Sequence, residues 1–223
     1  MEKFDLVIFD CDGVLLDSEI ISCQADAEAY TRLGLQITTE EIAKRFAGMP
    51  DEAVDAELAT ELGRPLPANF RAKIKLAVLA KYRTEMKAID GASSLLSSLK
   101  TAKCIASSAS PAKLALGLIE ADLYELVYPH IFSTRLVERG KPHPDIFLFS
   151  AEQMNVSPSR CIVIEDSMAG VSAAKRAGMA CVGFTGGSHC TDDHAERLRT
   201  AGADSVIGEL GAIRALVDWN RSV

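Results

Sequence analysis

The stretch FDLVIFDCDGVLLD, residues 4–17, is apolar from Leu6 to Phe9 and ends on two carboxylates one residue apart, Asp10 and Asp12. Gly13 and a second apolar run follow. A short apolar run closed by turn-forming residues reads as a strand buried on both faces, the kind that sits inside a parallel sheet. Similar runs recur at 103–107, 161–165, 180–184 and 205–207, with helical patterns between them in the second half of the chain. That alternation predicts an α/β fold with a Rossmann-like, doubly wound parallel sheet covered by helices. Residues 141–155, opening with Pro142 and Pro144, and 168–177, followed by Gly178, read as two of those helices.

Between the first two strand-like runs lie roughly ninety residues without another, too many for an ordinary crossover. Apolar positions at helical spacing recur there, from Ala25, Ala29 and Leu33 to Ile74, Val78 and Leu79, and breaks fall at Gly34, Gly48 to Pro50, and Gly63 to Pro65. We therefore expect a helical cap domain over 18–87, inserted into an α/β core made of 1–17 and 88–223.

Composition narrows the function. The chain of 223 residues carries 31 Asp plus Glu against 24 Lys plus Arg, a net charge of −7, so it offers no broad positive field for nucleic acid or an anionic membrane. Six cysteines form no C-x-x-C pair and read as reduced, mostly buried thiols. Acidic residues Glu2 and Asp5 stand where a secretory leader would be basic, and no run reaches the roughly 18 apolar residues of a membrane span. A cytoplasmic protein is expected, as a monomer or at most a weak dimer, acting on a small molecule.

Ligands in an open α/β sheet bind beyond the carboxyl ends of the strands. The residues there are Asp10 and Asp12, Ser107 and Ser108, and Glu165 and Asp166, with Lys141 in the RGKPHP loop. Each type is also an ordinary turn former. Together they are more telling, because two carboxylates about 4 Å apart repel by roughly 4 kcal/mol at an effective dielectric near 20. Such a cluster demands protons or a cation. An all-oxygen set suits a hard ion, Mg²⁺ before others, and one lysine plus one serine hydroxyl suit a phosphoryl group.

In this pattern the chain resembles the haloacid dehalogenase superfamily, in the phosphatase branch with a helical cap after the first strand. The resemblance rests on DCDGVLLDSE, the serine after CIA, GKPHPDIF and IEDSMAGVSAAKRAGM, in that order. It implies a Mg²⁺-dependent phosphatase for a small phosphorylated metabolite, a sugar or sugar-acid phosphate, working through an aspartyl-phosphate. Asp10 is then the nucleophile, Asp12 the acid and base, Ser107 a phosphoryl ligand and Lys141 the neutralising cation. Asp10, the Asp12 carbonyl, Asp166 and Glu165 would hold the metal, with Gly13 and Ser108 against the substrate. Family members that cleave carbon–halogen bonds lack the second aspartate, so Asp12 argues against that chemistry.

Two alternatives remain. A sugar phosphomutase of the β-phosphoglucomutase type shares these motifs, but its cap histidine and arginine correspond here to Ser22 and Asp51. A phosphometabolite-binding protein without turnover would be expected to lose some of the four core residues. A Schiff-base hydrolase would need a cap lysine, and Lys44, Lys73, Lys75, Lys81 and Lys87 read as solvated. DSEIISCQ and ITTEEIAKRFAGM are similar to the first cap helices of bacterial 6-phosphogluconate phosphatases, and there Gly48 would form a loop facing the site and Arg45 would reach an anionic substrate tail. HCTDDH, residues 189–194, reads as a helix start capped by Thr191 with Asp192 and Asp193 in its first turn, rather than as a metal cluster. His143 reads as a loop residue, and no G-x-S-x-G elbow surrounds Ser107 or Ser108.

Overall fold

The computed structural model describes residues 4–46, 49 and 51–217. Six parallel strands form one sheet in the order β3-β2-β1-β4-β5-β6. They are β1 (Leu6–Phe9), β2 (Ala102–Ser107), β3 (Ile131–Ser133), β4 (Cys161–Glu165), β5 (Ala180–Phe184) and β6 (Ser205–Ile207). β1 lies between β2 and β4, with Phe9 opposite Ile105 on one side and Ile164 on the other. All four of its residues are fully buried, as a strand covered on both faces requires.

Alternation along the strands divides the core. Val7, Phe9, Ile105, Ile164 and Phe184 point to one layer, while Leu6, Ile8, Cys104, Val163 and Cys181 point to the other. The second layer packs against α8 (Asp145–Gln153), α9 (Met168–Arg176) and α10 (His194–Thr200); the first takes α5 (Ala92–Ser98), α6 (Pro111–Glu120), α7 (Tyr124–Val127) and α11 (Ile213–Val217). The chain runs from β1 to β2 and β3 on one side, then crosses to β4 on the other. The strand order therefore reverses beside β1, where an open sheet leaves a crevice at its carboxyl edge.

Four helices fill the long gap: α1 (Glu19–Arg32), α2 (Thr39–Phe46), α3 (Asp51–Leu62) and α4 (Phe70–Glu85). Their apolar faces, among them Tyr30, Ile42, Leu58, Phe70 and Tyr82, join the first core layer rather than forming a separate one. Tyr30 meets the Phe70 ring edge-on at 5.0 Å and donates its hydroxyl to Asp55 at 2.6 Å. Arg71, largely buried, bonds Asp26 at 2.6 Å and also pairs with Asp55. The chain leaves and re-enters the core through adjacent segments, since Leu16 bridges Ala88 in antiparallel sense and Ile89 N–H donates to the Leu15 carbonyl at 2.9 Å.

Three local expectations change. β3 is only three residues long, too short to announce itself in the sequence. α8 starts at Asp145, not at 141, because a residue preceding proline is pushed out of the helical region and 141 and 143 both precede one. α10 starts at His194 with Asp193 at its N-cap position and no side-chain cap, so Thr191 does not cap it and Asp192 and Asp193 are not in its first turn.

Candidate active site

A cleft of about 530 Å³ lies over the carboxyl ends of β1, β2 and β4, between them and the inserted helices. Asp10, Asp12, Ser107, Ser108, Lys141 and Asp166 all line it. β1 ends at Phe9, and the Asp10 N–H still bonds the Ile164 carbonyl at 2.9 Å, so the sheet ladder itself aims the first carboxylate.

Lys141 is the hub. Its Nζ donates to Asp10 Oδ1 at 2.6 Å, to Glu165 Oε1 at 2.5 Å and to the Ala106 carbonyl at 3.0 Å, and it lies 5.0 Å from the Phe147 ring centre. Burial alone would favour the neutral amine, but Asp10 and Glu165 hold the ammonium well above its ordinary range. Burial conversely pushes Asp10 well up, opposed chiefly by Lys141 and reinforced by Glu165 and Asp166.

Asp12 has a different environment. Its Oδ1 accepts the Ser18 hydroxyl and the Tyr82 hydroxyl, the latter at 3.2 Å, while Lys113 Nζ lies 3.2 Å from Oδ2. Against a burial that would raise it, these partners, Lys113 first, hold Asp12 below the usual carboxylate value. Two aspartates one residue apart are thus pushed in opposite directions, Asp10 upward by burial and Asp12 downward by its three partners.

Asp10, Glu165 and Asp166 each offer an oxygen within 4.8 Å of the others. This all-oxygen set fits a hard divalent ion, and the Asp12 carbonyl follows on the same strand end. Glu165 is the most committed member, since Ser167 donates to Oε2 from both N–H and hydroxyl at 2.9 Å, leaving neither oxygen without a protein donor. Two glycines admit these groups. Gly13 has φ +79°, and a Cβ there would collide with the Asp166 carboxylate; a Cβ on Gly170 would collide with Glu165. Ser167 caps α9 by accepting the Gly170 N–H at 3.0 Å, which turns that helix start toward the cleft.

The remaining expectations divide. Arg45 pairs with Glu57 at 2.9 Å and with Glu61, does not line the cleft, and so does not serve as the anion contact expected of it. Gly48 lies outside the described residues, and its neighbour Met49 lines the cleft. Ser22 and Asp51 both line it. His143 is exposed in its loop, and none of the five cap-region lysines named above lines the cleft.

Several site residues escaped sequence reading. Lys113 comes from α6, more than a hundred residues beyond Asp12, and its Pro-Ala-Lys setting looks like any helix start. Tyr82 looks like core. Glu19 sits in the first turn of α1, where negative charge is ordinary, yet burial pushes it up to about 7, with Lys113 opposing and Asp12 reinforcing. His189 and His194 are buried in the cleft wall, His189 Nε2 lying 3.1 Å from Asp166 Oδ2.

Comparison with known proteins agrees with this geometry. Residues 4–178 match the family model described as haloacid dehalogenase-like hydrolase. A haloacid dehalogenase-like protein from Agrobacterium tumefaciens superposes with a TM-score of 0.90 at 42% identity, over 96% of this chain and 97% of its own. A family hydrolase from Deinococcus radiodurans, solved with bound phosphate and sodium, gives 0.85 at 35% identity over 97% and 96%. The 6-phosphogluconate phosphatase of Escherichia coli is 30% identical over 195 residues, 87% of this chain and 86% of that protein. The chain belongs to the haloacid dehalogenase-like hydrolases. Within them it is a phosphatase of phosphorylated metabolites. No helix among the described residues is long and apolar enough to cross a membrane.

Proposed function

We propose that this phosphatase hydrolyses the monoester of a small hydroxyl-rich metabolite, a sugar phosphate, by way of an aspartyl-phosphate on Asp10. The observation that carries the reading is the pairing of Asp10 and Asp12 at the end of the central strand, each with its own ammonium, in one cleft. An Asp10 oxygen attacks phosphorus as the bond to the leaving oxygen breaks, and Asp12 gives that oxygen a proton. Asp12, now a carboxylate again, takes a proton from the water that attacks phosphorus and frees Asp10. Lys113, Ser18 and Tyr82 favour the ionised form of Asp12 from which this second, basic step starts. Ser107 and Lys141 receive the charge on the phosphoryl oxygens.

Asp10, Asp166 and the Asp12 carbonyl would hold Mg²⁺, which supplies charge neutralisation between Asp10 and the phosphate. Glu165, saturated by Lys141 and Ser167, orients the lysine and reaches a metal only through water. Residues 18–87 form the cap, and the paired segments at 15–17 and 87–89 form the hinge on which it opens to admit substrate and closes to exclude water.

The cap wall narrows the leaving group. Glu19, Asp26 and Asp51 line it, with Arg71 paired to Asp26 and Asp51 from behind, whereas the basic residues in the described lining are Lys113, Lys141, His189, His194 and Arg197, of which Lys113 pairs with Asp12, Lys141 with Asp10 and His189 with Asp166. Carboxylates facing the substrate's far end disfavour a sugar acid or a second phosphate and favour neutral hydroxyls or an amino group. This departs from the name of the Escherichia coli relative and weighs against a phosphomutase. Phosphate release is to be measured from an aryl phosphate and from hexose, hexitol, hexosamine and aldonate phosphates, with and without Mg²⁺. Full activity in Asp10→Asn, or activity unaffected by metal removal, contradicts the mechanism; preference for the aldonate contradicts the substrate class.

A further inference from the structure

His189, Cys190 and His194 bring one ring nitrogen of each imidazole and the Cys190 sulfur within 4.8 Å of one another, in the loop leading into α10 and at the start of that helix. Both imidazoles are more than nine-tenths buried, and Nδ1 of each has no hydrogen-bond partner. Their other nitrogens are tied down by one residue. His194 Nε2 lies 2.7 Å from the Asp166 carbonyl, and since a carbonyl only accepts, Nε2 carries the proton and Nδ1 is left with its lone pair. His189 Nε2 lies 3.1 Å from the Asp166 carboxylate and 3.6 Å from Cys190 Sγ. An imidazole anchored at one nitrogen by a carbonyl, as His194 is, is what metal sites use to orient a ligand, while His189 turns Nε2 to both Asp166 and the Cys190 sulfur.

We propose that His189, Cys190 and His194 form a binding site for a borderline divalent cation, Zn²⁺ before others, in the cleft wall behind Asp166. Two imidazoles and a thiolate make three of the four ligands of a tetrahedral zinc site, and the fourth position faces the Asp166 side of the cleft or takes water. Cys190 gives its proton to solvent and a sulfur electron pair to the ion, with no change in oxidation state. The donor set separates the ions, because nitrogen and sulfur suit zinc or cobalt while the Asp10, Glu165 and Asp166 oxygens suit magnesium. The imidazoles that hold this ion are the ones that hold Asp166, so its occupancy is communicated to the oxygen site next to it.

The probe is Co²⁺, titrated into the full chain in excess Mg²⁺ and followed by absorption. We expect one equivalent to bind with a thiolate-to-cobalt charge-transfer band and tetrahedral ligand-field bands, and Zn²⁺ to displace it. Cys190→Ser is expected to abolish the charge-transfer band, and His194→Gln to weaken binding by at least about tenfold while keeping the band. Absence of the band in the unaltered protein overturns the proposal whatever the variants do, and so does its survival in Cys190→Ser. The readout is binding, so it stands apart from whether the chain hydrolyses phosphate esters.

Discussion

Lys141→Met removes the one ammonium that stands between two buried carboxylates. The side chain of Lys141 is 5% exposed and those of Asp10 and Glu165 are 10% and 1% exposed, so water cannot replace what is lost. Three hydrogen bonds from the ammonium vanish, two of them to carboxylates, and Asp10, already raised by burial and by Glu165 and Asp166, loses its principal opposing charge. Breaking a buried ion pair by deleting one partner costs about 3–5 kcal/mol, and methionine fills the volume, so the loss is electrostatic rather than a cavity effect. The sign with pH follows from the direction of the shift. A carboxyl that binds its proton more tightly folded than unfolded makes stability fall as pH rises above its unfolded value. The deficit is therefore expected to be largest near about pH 8 and to shrink toward about pH 5 as Asp10 takes up a proton. Urea denaturation of both proteins at the two pH values, without metal, measures it. Adding Glu165→Gln to the variant restores part of the stability. A deficit below about 1 kcal/mol at the higher pH, or one that grows on acidification, refutes the reasoning.

Other substitutions test other parts of the site. Tyr82→Phe deletes one donor to Asp12, so the Asp12 proton affinity rises and the alkaline limb of the kcat/KM profile, set by loss of the acid that Asp12 supplies to the leaving oxygen, moves up by about one pH unit. Glu19→Gln removes a carboxyl held at about 7 against an ordinary value of 4.5; because its folded state is raised, native Glu19 costs stability progressively from about pH 4.5 to 7, up to roughly 3 kcal/mol, and thermal unfolding above that window is expected to show the variant as the more stable protein. Gly13→Ala forces a side chain into a left-handed backbone position and against the Asp166 carboxylate, so steady-state assays are expected to lose at least about 100-fold in turnover. Asp51→Asn thins the negative cap wall, and competition assays are expected to show aldonate phosphates gaining on neutral sugar phosphates.

Much of the sheet was legible in residue order because its strands are buried on both faces, and such strands read as uninterrupted apolar runs: four of the six have the expected core within a residue or two. β6 also falls where its apolar run predicts, while β3 is too short to be told from loop. Asp10, Asp12, Ser107, Glu165 and Asp166 were legible for the same reason, since each directly ends or follows a strand at the carboxyl edge.

What residue order alone determined, then, is everything carried by local pattern: the α/β class, the long run of helices between the first two strands, and the set of carboxylates at the strand ends. Only the tertiary structure decided how those groups differ and what faces them. Lys113 and Tyr82 reach Asp12 from distant helices, which holds one aspartate down while burial lifts the other. Arg45 turned to Glu57 and Glu61 rather than to the cleft, and Glu19, Asp26 and Asp51 took its place along the wall. His189 and His194, which resembled the polar start of a helix, became buried imidazoles anchored to Asp166. Proton affinity, burial and ligand geometry are set by neighbours within a few ångströms in space, and spacing along the chain does not encode which neighbours those are.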